Sequence, residues 1–375
     1  MLHSDTVCYT SVVRNDLLLI ILVAAALSMS ACSTTPLEPY TEDTPPLVMV
    51  PASQAGISDQ RGRFREIFCA VLEERGESIP DYRSCEDALT RVGVEPPGTG
   101  EPVALGQSSR QLVVVMVPGV GWDCFEEWLD MKNTERAHVR QFGFDFHIVH
   151  VDALSSTTTN ARQLRDTIIA MGPETAEPRI VLIGYSKGAP DILEAVVSYP
   201  EIRSRIAAVV SAAGSIGGSP LANDKTQSQL EMLRHWPDAK CTEGDGGAIE
   251  SLRPATRRAW LANNPLPTDF PYYSVVTYPN PERISSILNS SYEKLGKADA
   301  RNDSQVLFYD QVIPGSALVA YVNADHWALA VPIARTHSTI GSMFVDENDY
   351  PREALLEAIL RFVEEDLEEQ TKREK

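Results

Sequence analysis

The sequence has no surplus of positive charge: Lys and Arg together number 33 against 52 Asp and Glu, a formal net charge of −19. Such a surface repels phosphate backbones and anionic lipid headgroups, which argues against a nucleic-acid partner. There is also no apolar run long enough to cross a bilayer. The longest, residues 17–27, has eleven residues, where a spanning helix needs roughly 20. Internal repeats are absent. The six cysteines come with no Cys-x-x-Cys or His-x-x-x-His spacing, so no metal site is expected. What is present is ordinary for a folded chain: 375 residues, 43% hydrophobic and 23% charged, enough to bury a substantial core.

The short apolar run follows Arg14 and ends in Ser28-Met29-Ser30-Ala31-Cys32. A basic residue, an apolar stretch and small residues at a cleavage point form the layout of an export signal. A Cys directly after those small residues resembles the lipobox of bacterial lipoproteins. That resemblance implies removal of residues 1–31 as a signal peptide, with Cys32 left as an acylated, palmitate-bearing first residue. Several acyl chains on one residue exceed what stable membrane anchoring requires. The protein is therefore expected at the bacterial cell envelope, and Ser33, not being Asp, is compatible with outer-membrane sorting. Export also sets the redox context. Cys8 leaves with the signal, and Cys69, Cys85, Cys124 and Cys241 remain, an even set in an oxidising compartment. Four cysteines allow three connectivities, and sequence alone does not choose among them. Cys69–Cys85 with Cys124–Cys241 is favoured, because the first two share one short helical segment and the others lie in separate loops.

Residues 32–60 carry Pro36, Pro39, Pro45, Pro46 and Pro51 among Thr and Ser, a composition that predicts a semi-extended tether. From Gly62 the pattern turns helical, with Phe64, Ile67, Phe68, Val71 and Leu72 on one stripe and Gly76 after it. A second helix is expected over 81–92, so that residues 61–95 read as a helical hairpin. A breaker-rich stretch from Glu95 to Gly100 follows. Beyond it, strands are expected at 112–117, 146–151, 180–183, 207–211, 273–278 and 317–322, and helices at 161–171, 190–199, 282–295 and 351–369. Alternation of this kind predicts an α/β fold, a mostly parallel sheet with helices on both faces.

The sharpest chemical signal is Gly184-Tyr185-Ser186-Lys187-Gly188, directly after a buried-strand run and before a helix. In this context Gly-x-Ser-x-Gly places a serine on a strained strand-to-helix turn that only flanking glycines permit. Here the chain resembles the α/β-hydrolase superfamily, in particular bacterial lipase- and esterase-like members, over about residues 108–370. The resemblance implies the chain order Ser, acid, His. His326 follows the expected strand at 317–322, where the superfamily keeps its base. Ala300-Arg301-Asn302-Asp303-Ser304-Gln305-Val306 resembles the turn in which related lipases place their carboxylate, so Asp303 is the first choice, with Asp310 and Asp299 open as alternatives. The run ending in Pro118-Gly119-Val120-Gly121 stands where related lipases carry His-Gly-x. The implied oxyanion donors are the amides of Val120 and Lys187, with Pro in place of His as a departure.

Residues 219–268 show no strand signal and are expected to form a cap over the site. The resulting expectation is a lipid-anchored envelope serine hydrolase cleaving carboxylic esters through Ser186, Asp303 and His326, without metal or organic cofactor. An acyltransferase or thioesterase using the same residues remains open, as does a catalytically idle, hydrolase-like scaffold.

Overall fold

The computed structural model describes residues 56–125, 134–172, 179–226, 228, 230, 235, 239–337 and 343–373. The expected signal segment, most of the expected tether and Cys32 lie outside them. Seven strands, β1 (Ser58–Asp59), β2 (Val113–Val117), β3 (Asp145–Ile148), β4 (Ile180–Tyr185), β5 (Ile206–Ala212), β6 (Tyr272–Thr277) and β7 (Ala317–Val322), form one sheet. Its order is β1-β7-β6-β5-β4-β2-β3, and every pair is parallel. Parallel pairing needs crossovers, and the crossovers cover both faces. The inner strands β2, β4 and β5 are accordingly apolar on both sides. Val114 and Met116 of β2 join one core and Val115 and Val117 the other, the alternation that the period-two pleat imposes.

One face is covered by α1 (Arg61–Arg75) and the long C-terminal helix Arg352–Arg373, whose Leu355, Ile359, Phe362 and Val363 share a core with Phe64, Ile67, Phe68 and Val71. Ion pairs reinforce that packing: Arg63 meets Glu365 at 2.7 Å, and Arg75 meets the fully buried Glu357 at 2.7 Å. Burial opposes ionisation of Glu357, but hydrogen bonds from His138, Arg75 and Arg361 overcome it and hold the carboxyl down to about 2. The opposite face is covered by Thr157–Ala170 and Gly188–Ser198.

Several sequence expectations need correction. The expected helix at 81–92 is a single turn, Cys85–Ala88. The backbone beyond it turns to the sheet instead: Leu89 bridges Val322, and Thr90 N–H donates to Tyr321 O at 2.8 Å. No helical hairpin forms, and α1 packs into the common core. The expected tether ends before residue 60, because Ser58 and Asp59 pair with Ala317 and Leu318 as an edge strand. The helix expected from 161 starts at Thr157, where Ser156 Oγ caps it by accepting Thr159 N–H at 3.2 Å. The helix expected over 282–295 is interrupted and becomes regular only at Asn289–Gly296. The amides of Ser285 and Ser286 are taken by Asp325 and Asp346, at 3.0 and 2.7 Å. Two disulfides, Cys69–Cys85 and Cys124–Cys241, are present.

Candidate active site

Ser186 follows β4 at the middle of the sheet, with φ at +54°, a left-handed conformation that non-glycine residues adopt at a cost. The glycines on either side have a steric reason. A Cβ on Gly184 would lie 2.4 Å from Ala189 Cα, and one on Gly188 would lie 1.9 Å from the Val117 carbonyl oxygen. The turn is pinned from both sides: Ser186 N–H donates to Ala212 O at 3.2 Å, and Ser186 O accepts Ser215 N–H at 3.0 Å. Strain held by tight surroundings is a frequent mark of a functional residue.

The structure brings Ser186, His326 and Asp303 together. His326 Nε2 lies 2.9 Å from Ser186 Oγ, and its Nδ1 lies 2.7 Å from Asp303 Oδ2. Asp303 is fully buried, and both of its carboxyl oxygens are met by hydrogen bonds. Oδ1 accepts the amides of Gln305 and Val306 at 2.9 and 2.7 Å, and Oδ2 accepts Thr277 Oγ1–H and, at 3.3 Å, Gln311 Nε2–H. The His326 amide donates to the Asp303 carbonyl at 2.9 Å. With Nδ1–H directed to a carboxylate, the imidazole presents Nε2 to the serine as an acceptor.

The other acid candidates stand elsewhere. Asp299 pairs with Arg301 at 2.6 Å; partial burial opposes its ionisation, and the Arg301 hydrogen bonds hold it below its ordinary value. Asp310 is buried and pushed up to about 7 by that burial, with Oδ2 unpartnered among the described residues. His337 sits at the end of a short helix, Ile333–Thr336.

The oxyanion candidates flank the serine. A Cβ on Gly119 would lie 2.8 Å from Ser186 Cβ and 3.2 Å from its Oγ, so the backbone at 119–120 passes directly over the nucleophile position. Lys187 is the N-cap residue of the helix Gly188–Ser198, where amides point outward and the helix dipole favours negative charge. Val120, Ser186 and His326 line one cavity of about 350 Å³, with Leu221, Ala222 and Leu230 of the expected cap and with Ile249 and Leu252 from its helix Ala248–Leu252. Cys124–Cys241 joins the segment after the 119–121 turn to the cap, helped by Lys240 N–H to Cys124 O at 3.0 Å and Thr242 N–H to Asp123 Oδ2 at 3.1 Å.

Sequence reasoning missed three supporting groups. Tyr185 donates its hydroxyl to His326 O at 2.7 Å and lays its ring 5.2 Å from the imidazole. Asp325 is buried, which pushes its carboxyl up, and it accepts the amides of Ser285, Trp327 and Ala328, fixing the histidine loop. Lys187 Nζ pairs with both oxygens of buried Asp191 at 2.8 and 2.9 Å, and Asn160 Nδ2 joins at 2.8 Å. Only the last left a trace in the sequence, an i,i+4 Lys-Asp spacing.

A serine on a strained turn after a central parallel strand, facing an imidazole from the loop after the last strand, defines an α/β-hydrolase site on an α/β-hydrolase fold. No family model matches the sequence, and no curated protein matches it. Among solved structures, the metagenomic carboxyl esterase MGS0156 is similar at 40% identity, over 88% of this chain and 99% of that one, with a TM-score of 0.80. The propeptide form of the Bacillus licheniformis lipase BlEst2 shares the fold at 16% identity, over 64% of this chain and 51% of that one, with a TM-score of 0.50. The chain belongs to the α/β-hydrolase superfamily.

Proposed function

We propose that this protein is a serine hydrolase of carboxylic esters, held at the bacterial cell envelope by lipid on Cys32. The observation that carries the enzymatic reading is the continuous chain from Ser186 Oγ through His326 to the buried Asp303, at 2.9 and 2.7 Å. In this reading Ser186 Oγ attacks the ester carbonyl carbon while His326 Nε2 takes its proton. The tetrahedral oxyanion is met by the amides of Val120 and Lys187. Collapse breaks the bond to the alkoxy oxygen, which leaves as the alcohol with the proton from His326. Water then attacks the acyl-serine, giving its proton to His326, and release of the carboxylic acid returns that proton to Ser186. Asp303 holds the imidazole tautomer and stabilises the imidazolium that forms in both steps.

Similarity to a carboxyl esterase at 40% identity supports esters as the substrate class. The anchor rests on the sequence around Cys32. A fluorophosphonate probe tests the enzymatic reading: folded protein should be labelled, and Ser186→Ala should abolish labelling and ester turnover together. A folded wild-type protein that takes no label would leave a scaffold role in its place.

A further inference from the structure

The cavity in front of Ser186 is mostly apolar. Val120, Ala222, Leu230, Ile249 and Leu252 form one hydrophobic cluster there, drawn from the turn over the serine and from the cap. The polar groups besides Ser186 and His326 are few, and two are engaged. Ser219 Oγ donates to the Gln305 carbonyl at 2.5 Å, and Gln305 Nε2 donates to Ser291 Oγ at 3.3 Å. Among the described residues lining the cavity, Lys225 is the one permanently charged side chain. Its sequence neighbour Asp224 is paired with Lys294 at 2.6 Å, and no carboxylate among the described residues pairs with Lys225. Lys225 is exposed, which sets it at the rim.

An uncompensated ammonium at the rim of an apolar chamber discriminates among ligands by charge, with the modest strength of a solvent-exposed ion pair. We infer that the site takes esters whose acyl chain ends in a carboxylate, the methylenes lying along the apolar cluster and the carboxylate pairing with Lys225. The inference rests on the reading of Ser186 as nucleophile. One ammonium, with no arginine among the described lining residues, suits a carboxylate better than a phosphate, which is typically met by arginine forks or several backbone amides. The overall charge of −19 makes the local pair decisive, since the long-range field of the protein repels anions.

The test compares kcat/KM for mono-p-nitrophenyl adipate and p-nitrophenyl hexanoate, esters of equal chain length and identical leaving group, on wild type and Lys225→Gln. The adipate-to-hexanoate ratio should fall by roughly fivefold in the variant, the size of a rim ion pair. In wild type it should also fall as salt is raised. Lys297→Gln, which removes an exposed cation that does not line the cavity, should keep the wild-type ratio. An unchanged ratio in Lys225→Gln with hexanoate still hydrolysed overturns this inference alone. Failure of wild type to hydrolyse either ester overturns the esterase reading as well. A preference for the phosphonate analogue of the adipate over the adipate itself would overturn the carboxylate assignment.

Discussion

At the residue scale, two buried aspartates seven positions apart have opposite environments. Asp303 is surrounded by donors and touches His326, whereas Asp310 has one oxygen without a partner among the described residues and is pushed up to about 7 by burial. Donors fix the Asp303 carboxyl against His326, whereas burial favours the protonated form of Asp310. Asp303→Asn should therefore lower kcat by on the order of 10⁴ with little change in KM, as loss of the correct imidazole tautomer does elsewhere; steady-state kinetics on a p-nitrophenyl ester would check this, and a variant of near wild-type kcat would remove Asp303 from the triad. Asp310→Asn should leave kcat close to wild type and change the pH dependence of stability. The folded carboxyl holds its proton to about 7, against 3.8 unfolded, so this contribution to stability is full below the unfolded value and is lost as pH rises toward the folded one. The loss amounts to about 2–3 kcal/mol between about pH 5 and about pH 8. Urea unfolding at both pH values should show wild type losing that much more than Asp310→Asn, and equal losses would contradict the assignment.

At the element scale, the turn at 119–121 and the cap act as one piece. Cys124–Cys241 closes a sequence separation of 117 residues, worth roughly 5 kcal/mol in the chain-entropy account. The same bond, with the hydrogen bonds of Lys240 and Thr242 beside it, ties the backbone that follows Val120 to the segment forming the far wall of the cavity. Replacing both cysteines by serine should lower the melting temperature. It should also reduce kcat at temperatures well below melting, because the backbone proposed to supply the Val120 oxyanion amide loses its anchor. Assays at such a temperature, with circular dichroism confirming the fold, would separate the two effects. Full kcat there would mean that the bond serves stability alone.

At the scale of the whole molecule, an acidic body is attached to a segment whose sequence reads as a lipid anchor. The net charge of −19 disfavours electrostatic adhesion to anionic lipids, so the proposed membrane attachment rests on acylation of Cys32 alone. Cys32→Ser should move the protein from the detergent phase to the aqueous phase in a partitioning experiment, or leave it unprocessed at its full mass. Unchanged partitioning of a processed Cys32→Ser form would overturn the anchor. The folded body already includes Ser58 and Asp59, which extend the sheet, and α1 shares a core with the C-terminal helix.

The sequence by itself determined the fold class and pointed to the three residues now found in one hydrogen-bonded chain. Those signals are local: a β run breaking into Gly184-x-Ser186-x-Gly188, a turn around Asp303, a strand leading to His326. Each is specified by its own neighbours through steric and periodic constraints, so a one-dimensional reading captures it. Tertiary structure decided what depends on distant partners. Residues 81–92 and 282–295 have helical patterning, yet their amides and carbonyls are claimed by β7, Asp325 and Asp346, contacts that no local period records. Asp303 was separated from Asp310 and Asp299 only by the distance to His326 Nδ1 and by which carboxylate received donors. Lys225 likewise became a candidate only once the cap brought it to the cavity that Ser186 faces. Burial and the pairing of charges are properties of the assembled core, and they exist only after the chain has closed on itself.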